Sequence, residues 1–190
     1  VRFIDLGSES AAHLAALASD QVDILYTLDV NLLQTVGAMP NLRVFEKTTA
    51  ITGIARMRVT EEPFGNKALR QAIQACVDRP RVMELAYAGH GDAGQDHHVS
   101  PIHPEFVDIG PPETSIDRAR ALLAEAGYPD GIELDLIAVN DPRWEGDLAQ
   151  VIAEQCAEAG IRINVNVMPG ATYWDRWDTW PFSVTQWTTR

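Results

Sequence analysis

The chain has 190 residues, 46% hydrophobic and 22% charged, which is enough for one domain or a large lobe with a real core. A formal net charge of −12, with no clustered Lys or Arg to offset it locally, sets the surface against nucleic acid and anionic lipid. No stretch approaches the roughly 18 apolar residues that a membrane-spanning helix needs.

The chain opens on a strand-like run, Val1-Arg2-Phe3-Ile4-Asp5-Leu6, and stops soon after another, Phe182 to Trp187. Domains rarely begin and end inside a sheet, so the sequence is expected to be a piece of a longer protein. The missing leader then says nothing about the compartment. Ser8 to Ser19 reads as a helix, Asp23 to Tyr26 as a short strand, and Asn31 to Val36 as a short helix closed by Gly37 and Pro40. Leu42 to Phe45 and Ile51 to Val59 read as extended segments.

From Asn66, the residues Leu69, Ala72, Ile73 and Cys76 recur at the spacing of a core-facing helical stripe. Asp78-Arg79-Pro80 interrupts it, and Pro80 suits the first turn of a new helix through Tyr87. Residues 89–112 show no periodicity, carry repeated Pro and Gly, and read as a long surface loop. Ser115 looks like an N-cap, Ala119, Leu122, Leu123 and Ala126 share a face, and Gly127 terminates. Tyr128-Pro129-Asp130-Gly131 has type I turn chemistry. Residues 132–138 and 161–167 alternate as strands around a helix over 146–160, which is a βαβ unit. The fold class expected is α/β, with a mixed, mainly parallel sheet flanked by helices.

Cys76 and Cys156 fall on the apolar stripes of separate helices without metal or redox spacing, and are expected as buried free thiols. His97, His98 and His103 lie in the long loop without a carboxylate at set spacing, so no metal or other cofactor is expected. Gly89-His90-Gly91-Asp92-Ala93-Gly94 matches a phosphate-loop pattern but follows a helix and precedes none. No nucleophile and base stand together in the pattern, and no catalytic residue is expected. Four of the five tryptophans fall in the last 17 residues, with Gly and Pro nearby. In that cluster Trp174 and Trp187, with Tyr173, suit a ligand platform, whereas Trp177 and Trp180 read as core or inter-lobe contacts. Arg56 and Arg58, two apart on a strand around Met57, share one side; that side is either a solvated edge or a joint grip on a carboxylate.

Three stretches resemble one family. Pro63-Phe64, a short link, and an Arg70-Gln71-Ala72 helix ending in Asp78-Arg79 form the first. The run Ala119-Arg120-Ala121-Leu122-Leu123-Ala124-Glu125-Ala126-Gly127-Tyr128-Pro129-Asp130-Gly131 is the second. Ala159-Gly160-Ile161 before an alternating strand, with Met168-Pro169-Gly170 leading to Tyr173-Trp174, is the third. Leu17-Ala18-Ser19-Asp20-Gln21-Val22-Asp23-Ile24 adds a fourth, looser likeness. Together they resemble the extracellular solute-binding proteins of ABC importers, peptide/nickel class. That resemblance implies a binding module and not an enzyme, periplasmic or extracellular, whose partners are a peptide-like or other small solute and the importer's permease. It also implies that residues 1–190 form one lobe of a two-lobed protein resembling periplasmic binding proteins, with the rest of the protein building the other lobe. The family uses the strand end at Arg56, Met57 and Arg58 as cleft wall. Peptide-binding members place an Asp three residues after a strand-end Trp, to pair with the ligand amine. Trp187-Thr188-Thr189-Arg190 keeps the Trp and has Arg190 where the Asp stands, so an acidic or hydrogen-bond-accepting ligand group is expected there. The binding set so expected is Arg56, Met57, Arg58, Tyr173, Trp174, Trp187, Thr188, Thr189 and Arg190. A hydrolase or transferase domain, or a bare protein-interaction module, stands as the alternative.

Overall fold

The computed structural model describes residues 1–7, 9–97 and 99–188. Four strands make one sheet: β1 (Ile51–Met57), β2 (Ile132–Val139), β3 (Ile161–Met168) and β4 (Phe182–Thr188), in the order β1-β4-β2-β3. β2 and β3 pair in parallel from Ile132↔Ile161 to Val139↔Met168. β4 joins β2 in parallel at Ile137↔Ser183, and β1 closes the edge antiparallel to β4, from Ile51↔Thr188 to Met57↔Phe182. The sheet is therefore mixed and mainly parallel, and β2 and β3 are joined through helix α6 (Arg143–Ala157), as the alternation around one apolar helix required.

One face of the sheet carries the core. Leu134, Leu136 and Ala138 of β2, Ile161 of β3, and Phe182 and Val184 of β4 pack with Leu148, Ala149, Ile152 and Cys156 of α6. Helices α3 (Lys67–Cys76), α4 (Arg79–Ala86) and α5 (Ile116–Glu125) extend the same cluster through Leu69, Ala72, Val82, Ala119 and Leu123. The other face of β2 and β3 is polar: Asn164 donates to Glu133 at 2.8 Å and Asn166 to Asp135 at 3.3 Å, both exposed. Gly131 needs to be glycine. It has φ of +100°, and an added Cβ would stand 2.6 Å from the Gly160 carbonyl oxygen.

Helix starts follow their caps. Ser115 accepts from Arg118 N, and Asp78 accepts from Arg81 N with Pro80 in the first turn. Asn66, standing where the resembled family has an acidic link, accepts from Ala68 N and Leu69 N, and its amide donates to the Ala126 carbonyl at 3.0 Å. Asn66→Ala removes three hydrogen bonds that start α3 and tie it to α5. Urea unfolding is expected to show a loss of about 1–2 kcal/mol; an unchanged midpoint would contradict this.

The first 50 residues stand apart. α1 (Ser10–Ala18), a 3-10 turn over Val30–Leu32 and α2 (Leu33–Gly37) match the expected helices, apart from the expected start at Ser8, which lies outside the described residues. The strands expected over 1–6 and 23–26 do not form. Both are rich in apolar residues, but a strand exists only as part of a ladder, and none runs beside these segments among the described residues. Phe3, Ile24, Tyr26 and Phe45 stand out exposed, and no residue before Ala55 takes part in the core cluster. Two hydrogen bonds pin the end of this segment to the long loop: His90 with Glu46 at 3.0 Å, and Ser100 Oγ donating to the Thr49 carbonyl at 3.2 Å.

That loop, 89–112, is irregular as expected, and side chains hold it down. Arg79 Nη2 donates to both carboxylate oxygens of Asp96, at 2.8 and 2.9 Å, and the Gln74 amide donates to the same carboxylate. No helix among the described residues is long and apolar enough to cross a membrane.

Candidate ligand-binding site

Strand geometry builds the site. Successive residues of β4 point to opposite faces, so Phe182 and Val184 enter the core while Ser183, Thr185 and Trp187 face away from it. The antiparallel register sets Arg56 beside Ser183, Ile54 beside Thr185, and Thr52 beside Trp187 on that same outer face. The segment 169–181 then folds over it. Its short helix α7 (Gly170–Asp175) buries Tyr173 completely, and the Tyr173 hydroxyl donates to the Val184 carbonyl at 2.6 Å. Trp180 donates from its indole to the Tyr173 carbonyl at 3.2 Å, locking the far side of the turn.

Trp174, Trp177, Thr185, Gln186, Trp187 and Thr188 line a recess of about 210 Å³ at this end of the sheet. The Trp177 and Trp187 rings lie 6.4 Å apart at 51°, and Trp174 meets Tyr173 edge-on at 4.9 Å. Trp174 and Trp187 keep 42% and 36% of their surface exposed, an unusual amount for rings held this firmly. The recess is walled by flat aromatic surface and edged by hydroxyl and amide groups, which suits a small molecule with an apolar or planar part and a few polar atoms.

The structure sorts the expected residues. Trp174, Trp187 and Thr188 come together in the recess; Tyr173 supports Trp174 from beneath and is itself buried. Met57 pairs with Phe182 and packs against the core, on the face opposite the recess. Arg56 and Arg58 share a side, as their spacing required, but their donors are engaged by main chain. Arg56 donates to the Trp177 carbonyl, with its guanidinium 5.0 Å from the Trp177 ring centre, and Arg58 donates to the Thr179 carbonyl at 3.1 Å. Both arginines thereby position the tryptophan loop. Arg56 Nε stays buried with no hydrogen-bond partner. Thr189 and Arg190 lie outside the described residues, as does His98.

Trp177, expected as a core or inter-lobe contact, lines the recess instead, and Thr185 and Gln186 are lining residues that the sequence did not single out. Thr185 was within reach: period-two alternation from Trp187 places it on the same face. Trp177 was not, because its position depends on how the 176–181 loop crosses the sheet.

Few groups have shifted proton affinity. Burial lifts Glu145, in the first turn of α6, to about 7. Burial, with the charge of Asp29, raises Tyr87. The Gly110 N–H and the Gln95 amide hold Asp108 below the usual carboxylate range. Among the described residues no three His, Cys, Asp or Glu side chains converge as metal ligands would. His97 packs against Phe106 at 5.6 Å instead.

Comparison with known proteins gives a consistent relation. The family described as bacterial extracellular solute-binding proteins, family 5, middle part, matches residues 2–190. Heme-binding protein A of Haemophilus influenzae is 25% identical over 175 residues, which is 90% of this chain and 32% of that protein. The glutathione-binding protein GsiB of Escherichia coli is 27% identical over 128 residues, 67% of this chain and 25% of its own length. The PBP AgaA from A. tumefaciens R10, solved with agropinic acid, superposes with a TM-score of 0.81 at 24% identity, over 95% of this chain and 37% of AgaA. The chain thus spans between a quarter and about a third of the curated relatives it matches.

Proposed function

The chain belongs to the bacterial extracellular solute-binding proteins of family 5, and from that premise we propose that it supplies one wall of the solute cleft in the binding component of an ABC-type importer. The whole protein captures a peptide-like or other small solute between two lobes, outside the cytoplasm, and hands it to a membrane permease. Residues 1–190 belong to one lobe in this reading, and the part built on the sheet carries the ligand face. The observation that supports it most is the recess formed by Trp174 on α7, Trp177 held by Arg56, and Trp187 against Trp177, in which Trp174 and Trp187 keep part of their surface exposed. No core packing requires those open ring faces, and a ligand covered by a second lobe would use them.

The chemistry of the edge suggests a ligand with an acidic or strongly accepting group. Arg190 stands in sequence where peptide-binding members of the resembled class carry an Asp to pair with the ligand amine, while Arg56 is committed to the tryptophan loop. A guanidinium donates only, and repels an ammonium in a cleft of low dielectric.

A thermal-shift screen of the full-length protein tests this reading. The panel comprises short peptides, glutathione, haem, opine-type acids and nickel–histidine complexes. A ligand at 100 times its Kd stabilises the folded form by about 2.7 kcal/mol, so one class is expected to raise the unfolding midpoint by several degrees. A flat response across the panel counts against the solute classes named. With a hit in hand, Arg190→Asp is expected to weaken an anionic ligand more than a matched cationic one. Affinities for both left unchanged by the exchange would remove Arg190 from the site.

A further inference from the structure

The two cysteines, 80 positions apart in sequence, meet in space. Cys76 closes α3 and Cys156 lies near the end of α6, and both sit in the shared core with Leu69, Ala72, Ile73 and Ile152. Neither has more than 1% of its surface exposed, and both are free thiols in this structure. The two thiols neighbour each other in that core closely enough to perturb each other's ionisation, Cys76 downward and Cys156 upward. Carried by helices that share one core, they form a disulfide once their sulfurs reach bonding distance.

We propose that Cys76 and Cys156 are the two halves of a disulfide that fastens α3 to α6 when the chain folds under oxidising conditions. Before α3 and α6 dock, both thiols meet solvent, and either one can start the exchange. Starting from Cys76, the thiolate attacks one sulfur of a low-molecular-mass disulfide and expels the other as a thiolate. Cys156 gives up its proton and attacks the Cys76 sulfur of the mixed disulfide, expelling the second thiolate. Two protein thiols become one disulfide, the small disulfide becomes two thiols, and the two protons pass to the departing sulfurs. The finished core shields both sulfurs, so the exchange takes place while α3 and α6 are docking and the product is then protected from reduction. The proposal uses the family reading for one point alone, that the native compartment is oxidising.

Refolding the full-length protein, reduced and unfolded at the start, in buffered oxidised glutathione tests the pair without reference to that compartment or to any ligand. A non-reducing proteolytic digest is expected to yield the Cys76 and Cys156 peptides as one linked species, two hydrogens lighter than the two separate peptides. Closing a loop of about 80 residues also lowers the entropy of the unfolded chain, so adding reductant should drop the unfolding midpoint by several degrees. The Cys76→Ala/Cys156→Ala double variant should show no such response to reductant. Recovery of either cysteine as a free thiol, as a glutathione adduct, or linked to any other sulfur overturns the proposal. The peptide map decides this even where the double variant does not fold.

Discussion

Phe182→Ala is expected to lower stability by about 3–5 kcal/mol, the range for removing a fully buried aromatic ring. Phe182 has no exposed surface, meets the Phe64 ring at 5.2 Å, and pairs with Met57 at the start of β4, the strand that joins the antiparallel edge to the parallel half of the sheet. Its loss opens a cavity between the sheet and the Pro63-Phe64 segment leading into α3. Trp174→Ala, on the outer face and 42% exposed, should by contrast cost about 2 kcal/mol, since nearly half of its surface already meets water. Urea unfolding of the two variants therefore separates the two faces that β4 divides. Equal losses would mean that the tryptophan loop is part of the folding core, and would remove the reason for its open rings.

Glu145→Gln is expected to change the way stability depends on pH. Glu145 has no exposed surface, and neither of its carboxyl oxygens has a hydrogen-bond partner. It lies on the same side of α6 as Leu148, Ala149 and Ile152, so the ionised form is desolvated, and its pKa rises from 4.5 to about 7. Below about pH 4.5 the carboxyl is protonated in both folded and unfolded chains and costs nothing through ionisation. As pH rises from 4.5 to 7 the unfolded chain ionises first, the folded chain holds more protons, and stability falls. Above 7 the loss levels off at about 3 kcal/mol, from roughly 1.36 kcal/mol per pKa unit. The glutamine variant cannot ionise. It should match the wild type within about 1 kcal/mol at pH 4, since the two neutral side chains are nearly the same shape, and exceed it by about 3 kcal/mol at pH 8. A difference that stays constant across pH 4–8 would mean that Glu145 finds a partner or water when ionised.

The half of the fold from Ser115 to Met168 was legible because local and non-local signals agree there. The caps at Ser115 and Gly127, the Tyr128–Gly131 turn and the unbroken alternation after Ile161 each fix a boundary that the βαβ unit then uses. The strands expected over 1–6 and 23–26 were misread for the opposite reason. Their apolar content suits a strand, but a ladder is a property of two segments, and the sequence of one says nothing of the other. The site was half legible. Trp174 and Trp187 stood out by type and position. Arg56 and Arg58 were placed on one side correctly, but their partners are the carbonyls of residues 177 and 179, more than 120 positions away. Trp177 entered the recess by the same non-local route, as did the meeting of Cys76 with Cys156.

The claim that the outer face of β4 is a ligand wall meets its most direct test in calorimetry on the full-length protein. A ligand identified by thermal shift would be titrated into the wild type and into Trp187→Ala, with urea unfolding of both run in parallel. Aromatic anchors of this kind carry about 1–3 kcal/mol of binding each, so Kd should rise roughly 10- to 100-fold. The loss of stability in the absence of ligand should stay below that of Phe182→Ala, because Trp187 lies outside the core cluster. Unchanged affinity in the folded variant would show that the ligand does not touch this wall, and would contradict the account.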